Sequence, residues 1–232
     1  MNFLAAARNI HADPRWWQKV LLGGALTMTV FGATWPAGLV VESMDNVRKG
    51  FATPLPPSVD AGTRMLIGLF ALLLDFFFFV IPVLVAVLLF ACVGIGASLG
   101  QANTSGVQPL GVGFVITLAA IVIILFVLGI APISRLRYIE QGSIEQALQA
   151  GPVVRQALEP RRRALYRAAR LHSLPGYAPL VLLAAAAWGS TQVQIPAGGL
   201  LSAVLFWLAC SALVYAHLVV AQLYGDAERH LR

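Results

Sequence analysis

Apolar positions along this chain neither alternate nor recur in stripes; they fill whole blocks. From Met65 to Leu99 a single charge, Asp75, interrupts the run, and from Leu110 to Ser134 there is none. About 20 apolar residues suffice to cross the hydrocarbon core of a bilayer, so the two blocks predict spanning helices over 64–98 and 110–137. Later blocks predict two more, over 174–190 and 197–224. The first of the four is longer than the core requires. Pro82 is its expected kink, because proline removes a backbone N–H and crowds the carbonyl four residues back.

A further apolar stretch, Trp16 to Val47, behaves differently. At its middle stands FGATWPAG, residues 31–38, where a spanning helix would carry leucines. Crossing twice would leave about 14 residues per leg, roughly 21 Å of helix against a core of roughly 30 Å. Crossing once would leave the basic N-terminal segment outside. The pattern therefore predicts a re-entrant helical hairpin over 16–48 that enters and leaves by one side. Its turn is expected at Gly32 to Pro36, with Gly32, Trp35, Pro36 and Gly38 as the turn residues. Gly23 and Gly24 are expected to let neighbouring helices approach closely. The competing reading is one kinked spanning helix with the N-terminus outside, since proline kinks are tolerated in membrane helices.

Charge decides the orientation. The sixteen Lys and Arg fall into four segments: Arg8, Arg15 and Lys19; Arg48, Lys49 and Arg64; eight arginines from Arg135 to Arg170; and Arg229 with Arg232. The connections 100–109 and 190–196 are polar but uncharged. Basic residues collect in cytoplasmic loops, which places residues 44–63 and both termini in the cytoplasm. The composition, 59% hydrophobic and 11% charged, is that of an integral membrane protein rather than a soluble domain. In that setting the net charge of +6 reflects orientation, and no nucleic-acid partner is expected. The opening residues lack the apolar core and small-residue site of a cleavable signal, so the N-terminus is expected to be retained.

The rest of the chain reads as one membrane domain, 1–232. Residues 1–15 predict an interfacial helix with Phe3, Leu4, Ala7 and Ile10 on one face and Trp16 and Trp17 as an aromatic anchor. Asp13 is placed to cap the next helix and Pro14 to open it. TPLPP, 53–57, predicts an extended connector. Residues 138–173 form a cytoplasmic basic loop with amphipathic helical pieces, in which Ser143 and Gln146 make a capping-box pattern. Within it Arg161, Arg162, Arg163, Arg167 and Arg170 are candidate contacts for anionic lipid, with Arg163, Arg167 and Arg170 at helical spacing.

Candidate chemistry is sparse. Asp75 lies about 12 residues from Thr63, roughly 18 Å along a helix and so near the midplane, where ionisable groups mark functional sites. His217, about 12 Å from the inner end of the last helix, is its candidate polar partner in a proton or cation relay. The alternative is a protonated Asp75 held by a neighbouring helix. GASLG, 96–100, matches a nucleophile-elbow pattern, but that motif needs a strand-to-helix turn and His217 sits at the opposite end of its helix from Ser98. Gly96 and Gly100 read instead as a packing face. Cys92 and Cys210 lack metal or redox spacing, and His11, His172 and His230 have no paired ligands. No metal, cofactor or catalytic residue is expected, and no enzymatic activity.

The segment from Asp13 to Pro56 resembles the start of an uncharacterised prokaryotic membrane family, domain of unknown function 4013. The positions that carry the likeness are Asp13, Pro14, Trp16, Lys19, Gly23, Gly24, Gly38, Asn46, Gly50, Leu55 and Pro56. Gly142-Ser143 and Tyr224-Gly225 resemble later features of the family. The chain departs where the family usually has an acidic residue and a tryptophan, since Pro57 and Ser58 follow here. The resemblance implies a multi-pass fold and brings no activity with it.

Together these features predict an all-α protein of the prokaryotic inner membrane, with about four spanning helices, the hairpin and cytoplasmic amphipathic helices. Two functions fit. One is an accessory or scaffolding subunit that contacts lipid, anionic lipid included, and assembles with copies of itself or a larger membrane complex. The other is a small transporter or lipid-handling permease with Asp75 in a polar path.

Overall fold

A computed structural model describes residues 2–29, 31–51, 55–57, 60–100, 117, 121, 129–192 and 198–231. Those residues are helical with short connections and include no strand. The elements are α1 (Phe3–His11), α2 (Trp16–Thr27), α3 (Thr34–Lys49), α4 (Ala61–Asp75), a π-helical turn (Phe76–Val80), α5 (Ile81–Gly100), α6 (Ile130–Gln141), α7 (Ile144–Ala147), α8 (Ala150–Leu158), α9 (Pro160–Gln192) and α10 (Gly198–Arg229). Three of the described helices are long and apolar enough to cross a membrane: Ala61–Leu88, Pro160–Thr191 and Gly199–Arg229. They leave Leu66, Leu69, Leu88, Leu182, Trp188 and Leu200 more than half exposed, as side chains facing lipid would be.

The long pair α9 and α10 forms the spine. The two run antiparallel, tied at one end by Ser190 to Ser202, Oγ to Oγ 2.8 Å, and at the other by Arg162 Nη1 to Glu228 Oε1, 2.9 Å. Tyr166 stacks on Tyr224 with ring centroids 5.5 Å apart and donates its hydroxyl to the buried Glu228. Against this spine pack α2 and α3. Hydrophobic gain is absent between helices inside lipid, so association there depends on close packing and polar ties. Both are present: Gln222 Nε2 donates to Ser43 Oγ at 2.9 Å, and Trp207 Nε1 to the Leu21 carbonyl at 3.0 Å. A Cβ on Gly24 would lie 2.7 Å from the Ser211 Cα, so α2 meets α10 backbone to backbone.

Helix α4 lies on α3 by the same device. A Cβ on Gly38 would stand 2.0 Å from the Arg64 carbonyl oxygen, and one on Gly68 would stand 1.7 Å from that of Thr34. Gly38 is thus a packing residue within α3, not part of the turn. Trp35 and Pro36 also belong to the first turn of α3, where Pro36 has no N–H to satisfy. The turn between α2 and α3 falls earlier than expected, ending at Ala33, and retains only Gly32 of the residues assigned to it.

Other boundaries move for physical reasons. The irregularity expected at Pro82 appears just before it, as the π turn in which Ile81 N–H reaches the Phe76 carbonyl five residues back. Widening one turn relieves the clash between a proline ring and the carbonyl four residues earlier. The span expected over 110–137 lies largely outside the described residues, but it does not run unbroken to 137. Gly129 takes a left-handed φ of 62° and α6 starts afresh after it. The basic stretch 138–173 is helical rather than a loop, and the span expected at 174 is part of a single helix starting at Pro160 and passing through Pro175 and Pro179. On α1 the buried face is Ala6, Ala7 and Ile10, with Leu4 exposed. Asp13 accepts from Arg15 N–H but Arg15 holds the N-cap position of α2, and Ser143 caps α7 with no side-chain hydrogen bond. Gly96, Ser98 and Gly100 fall outside the residues whose side chains are described.

Candidate functional site

The polar centre of the bundle is assembled from four helices. Asp75 ends α4, at the lip of the π turn. Opposite it, Arg135 on α6 donates from Nε to Asp75 Oδ1 at 3.0 Å and from Nη2 to Oδ2, a two-pronged pair. Arg135 is 6% exposed. Planar guanidinium and carboxylate match in this geometry, which makes it the strong form of a charged hydrogen bond. From α10, His217 faces the same space and stands edge-on to Tyr177 of α9, centroids 6.3 Å apart. Arg170, about two turns before Tyr177 on the same face of α9, is also turned inward and buried.

Two cavities flank this centre. The larger, about 270 Å³, is walled by Phe79, Val80, Pro132, Arg170, Tyr177 and Val220. The smaller, about 100 Å³, lies toward the hairpin and is walled by Thr27, Ala33, Pro36, Leu72 and Val214 among others. Asp75, Arg135 and His217 line both. The ion pair and the imidazole therefore form the partition between two spaces.

Asp75 and His217, expected as partners, share both cavities, yet the carboxylate bonds to Arg135. Residue counting assigned Arg135 to the basic loop and so missed it. A readable signal was present: glycine followed three residues later by proline, GIAP at 129–132, suits the start of a helix, and a restart at 130 turns Arg135 inward. Of the five arginines assigned to lipid, Arg161, Arg163 and Arg167 are exposed. Arg162 pairs with Glu159 and Glu228, and Arg170 faces the cavity instead of the outer surface.

The positions that carry the family likeness do other work. Lys19, buried, donates to Asp13 Oδ2 at 2.5 Å and to the Pro56 carbonyl at 2.8 Å, fastening the start of α2 to the connector after α3. Gly24 and Gly38 sit at the close crossings, Gly50 ends α3 with a φ of 77°, and Leu55 is buried. None of these residues lines either cavity. Outside the membrane, the Asp60 carboxylate caps α4 by accepting from Thr63 N–H at 3.1 Å, and its hydrogen bonding to Thr63 holds its pKa below the ordinary value.

Among the described residues no cluster of His, Cys, Asp or Glu is arranged to hold a metal ion. No curated protein and no solved structure matches the chain. A family model described as a protein of unknown function, DUF4013, matches residues 21–168. That is more than half of the sequence, and the chain belongs to the DUF4013 family of membrane proteins.

Proposed function

We propose that this protein is a small, non-enzymatic permease of the prokaryotic inner membrane, with Asp75, Arg135 and His217 as the gate of a polar path. The observation that carries the reading is the sharing of those three residues by two cavities. A buried ion pair adds little to stability compared with well-packed apolar side chains, and ionisable groups within spanning segments belong by default to a pathway or site. The accessory-subunit reading lacks a comparable feature. Most of the exposed large apolar side chains lie on spanning helices, where lipid accounts for them. Exposed Arg161, Arg163 and Arg167 then act as contacts for anionic headgroups that fix the orientation of the bundle.

The topology we propose is a re-entrant α2–α3 hairpin with both termini cytoplasmic. Helices of 12 and 16 residues extend about 18 and 24 Å, short of the roughly 30 Å core. Pro36 and Val214 both sit against Gly23, and Val214 is midway along α10, so the hairpin turn goes about halfway up that helix. Helix α2 lies across α10 rather than beside it. Trp16 meets Tyr215 and Gly24 meets Ser211, eight residues of α2 against four of α10.

Thiol labelling tests the path without a known substrate. In a background with Cys92→Ser and Cys210→Ser, Ala33→Cys and Ala131→Cys report on the smaller and larger cavity. A small hydrophilic thiol reagent is expected to modify both, in intact cells or inverted vesicles. If neither thiol reacts from either side, the cavities are sealed and the permease reading fails.

A further inference from the structure

The charged end of the spine, marked by the Arg162–Glu228 pair, carries an opening of its own. A groove of about 900 Å³ runs between the end of α6 and the junction of α8 with α9, within the roughly 300–1,000 Å³ usual for small-molecule sites. Three guanidiniums line it, one from each helix: Arg137, Arg155 and Arg162. Its two carboxylates are engaged already. Glu159 holds Arg162 at 2.8 Å, and Glu140 lies 3.6 Å from Arg48. Arg137 donates from Nε to the Gln146 carbonyl at 3.1 Å, a neutral partner. Among the described residues neither Arg137 nor Arg155 forms an ion pair with a carboxylate. Two helices thus present guanidiniums to one groove, where like charges repel unless an anion joins them.

We propose that this groove binds an organic phosphate, with the phosphate group between Arg137 and Arg155 and the organic part against Leu158 and Pro160. One guanidinium fork matches the two oxygens of a carboxylate, so a single arginine satisfies that group. A phosphate monoester offers three terminal oxygens and can take a fork from each side. Inorganic phosphate alone would leave most of the groove empty and the exposed Leu158 uncovered. A phosphorylated solute and a lipid headgroup share this chemistry. No residue lines both the groove and either cavity of the gate, and the inference does not rest on the permease reading. The groove wall is tied to the spine, since Gln156 Nε2 donates to the Tyr166 hydroxyl at 3.3 Å and Tyr166 donates to Glu228. A ligand that joins α6 to α8 therefore braces α9 and α10 as well, and registers as stability.

The test is thermal unfolding of the purified full chain in a neutral maltoside detergent, at about 0.15 M salt, where a screening length of about 8 Å damps general attraction. Two organic phosphates are titrated, ATP as the soluble source and dioctanoyl phosphatidate as the lipid one. Adenosine, dioctanoylglycerol and inorganic phosphate are titrated beside them. At least one organic phosphate is expected to raise the midpoint saturably, and the other three probes to leave it unchanged. A response to ATP alone assigns a solute, and one to phosphatidate alone assigns a headgroup. Arg155→Gln changes an exposed residue outside any ion pair, so it is expected to fold and to weaken half-saturation by about tenfold or more, the loss that follows from one charge-assisted hydrogen bond. Arg8→Gln removes an equal charge from the exposed face of α1, which does not line the groove, and is expected to change nothing. The proposal is overturned by no saturable response to either organic phosphate, by an equal response to inorganic phosphate or to a phosphate-free probe, by an undiminished response in Arg155→Gln, or by equal weakening in the two variants.

Discussion

Separating the Asp75–Arg135 pair should be far more harmful than deleting it. Asp75→Leu would leave a guanidinium that is 6% exposed without its carboxylate, and Arg135→Met would strand the carboxylate. With charge centres about 4 Å apart and an effective dielectric constant near 20, the attraction lost is ~4 kcal/mol, in line with the ~3–5 kcal/mol typical of breaking a buried pair from one side. In the double variant no charge is stranded, and apolar side chains of similar size usually leave stability unchanged or raise it by ~1–4 kcal/mol. The assay is a double-mutant cycle by equilibrium unfolding in mixed micelles. Each single variant is expected to lose several kcal/mol, the double variant little, and the coupling to exceed about 2 kcal/mol. Single losses below ~1 kcal/mol that simply add would show the pair to be solvated, and the reading of Asp75 as a buried gate would go with them.

The helix crossings give a contrast between two glycines. Gly68→Ala forces a Cβ into the Thr34 carbonyl at 1.7 Å, backbone that cannot swing aside, and should destabilise by ~1–3 kcal/mol or more; Gly189→Ala, with nothing within 4 Å, should stabilise α9 by ~0.5–1 kcal/mol, both read by unfolding in micelles. The Asp60 cap predicts a pH effect of defined sign. Its folded pKa lies below the ordinary 3.8, so its contribution is present above that value and lost as pH falls through the lower folded value. Unfolding midpoints of wild type and Asp60→Ala should therefore differ at pH 6 to 7, on the order of neutrality where carboxylates are ionised, and converge in acid; a difference that persists in acid would mean the cap does not act through its charge.

Much of the architecture could be read along the chain because the bilayer imposes a length on every apolar block. The blocks beginning at 64, 174 and 197 overlap the three described helices long and apolar enough to cross a membrane, and the glycines Gly23 and Gly24 lie at the close contacts assigned to them. Pairings across the chain were less legible. Asp75 and Arg135 are 60 residues apart, and placing Arg135 by counting from 110 assumes one straight helix. Gly129 ends that assumption with its left-handed backbone, and the helix after it points Arg135 into the bundle. Near Pro175 and Pro179 the difference runs in the opposite sense. The span expected from 174 starts just before them, whereas the helix begins at Pro160 and continues through both, as membrane helices do when neighbours satisfy the freed carbonyls.

The division of labour between motif and cavity bears on what the family has in common. The glycines and the Asp13–Lys19–Pro56 tie hold α2, α3 and the connector in place, so a chain that keeps them keeps the hairpin against the spine. The family match, residues 21–168, takes in Asp75 and Arg135 on one wall but stops short of Arg170, Tyr177 and His217 on the other. The ion pair thus belongs to the part of the chain that the family model matches, and Arg170, Tyr177 and His217 lie beyond it. On the proposed permease reading, a gate in the matched part and a wall outside it are separable parts of one site. On that argument, Arg170→Gln and Tyr177→Phe should leave the Asp75–Arg135 coupling intact in the same double-mutant cycle. Loss of that coupling in such a variant would mean that gate and wall are one structural unit.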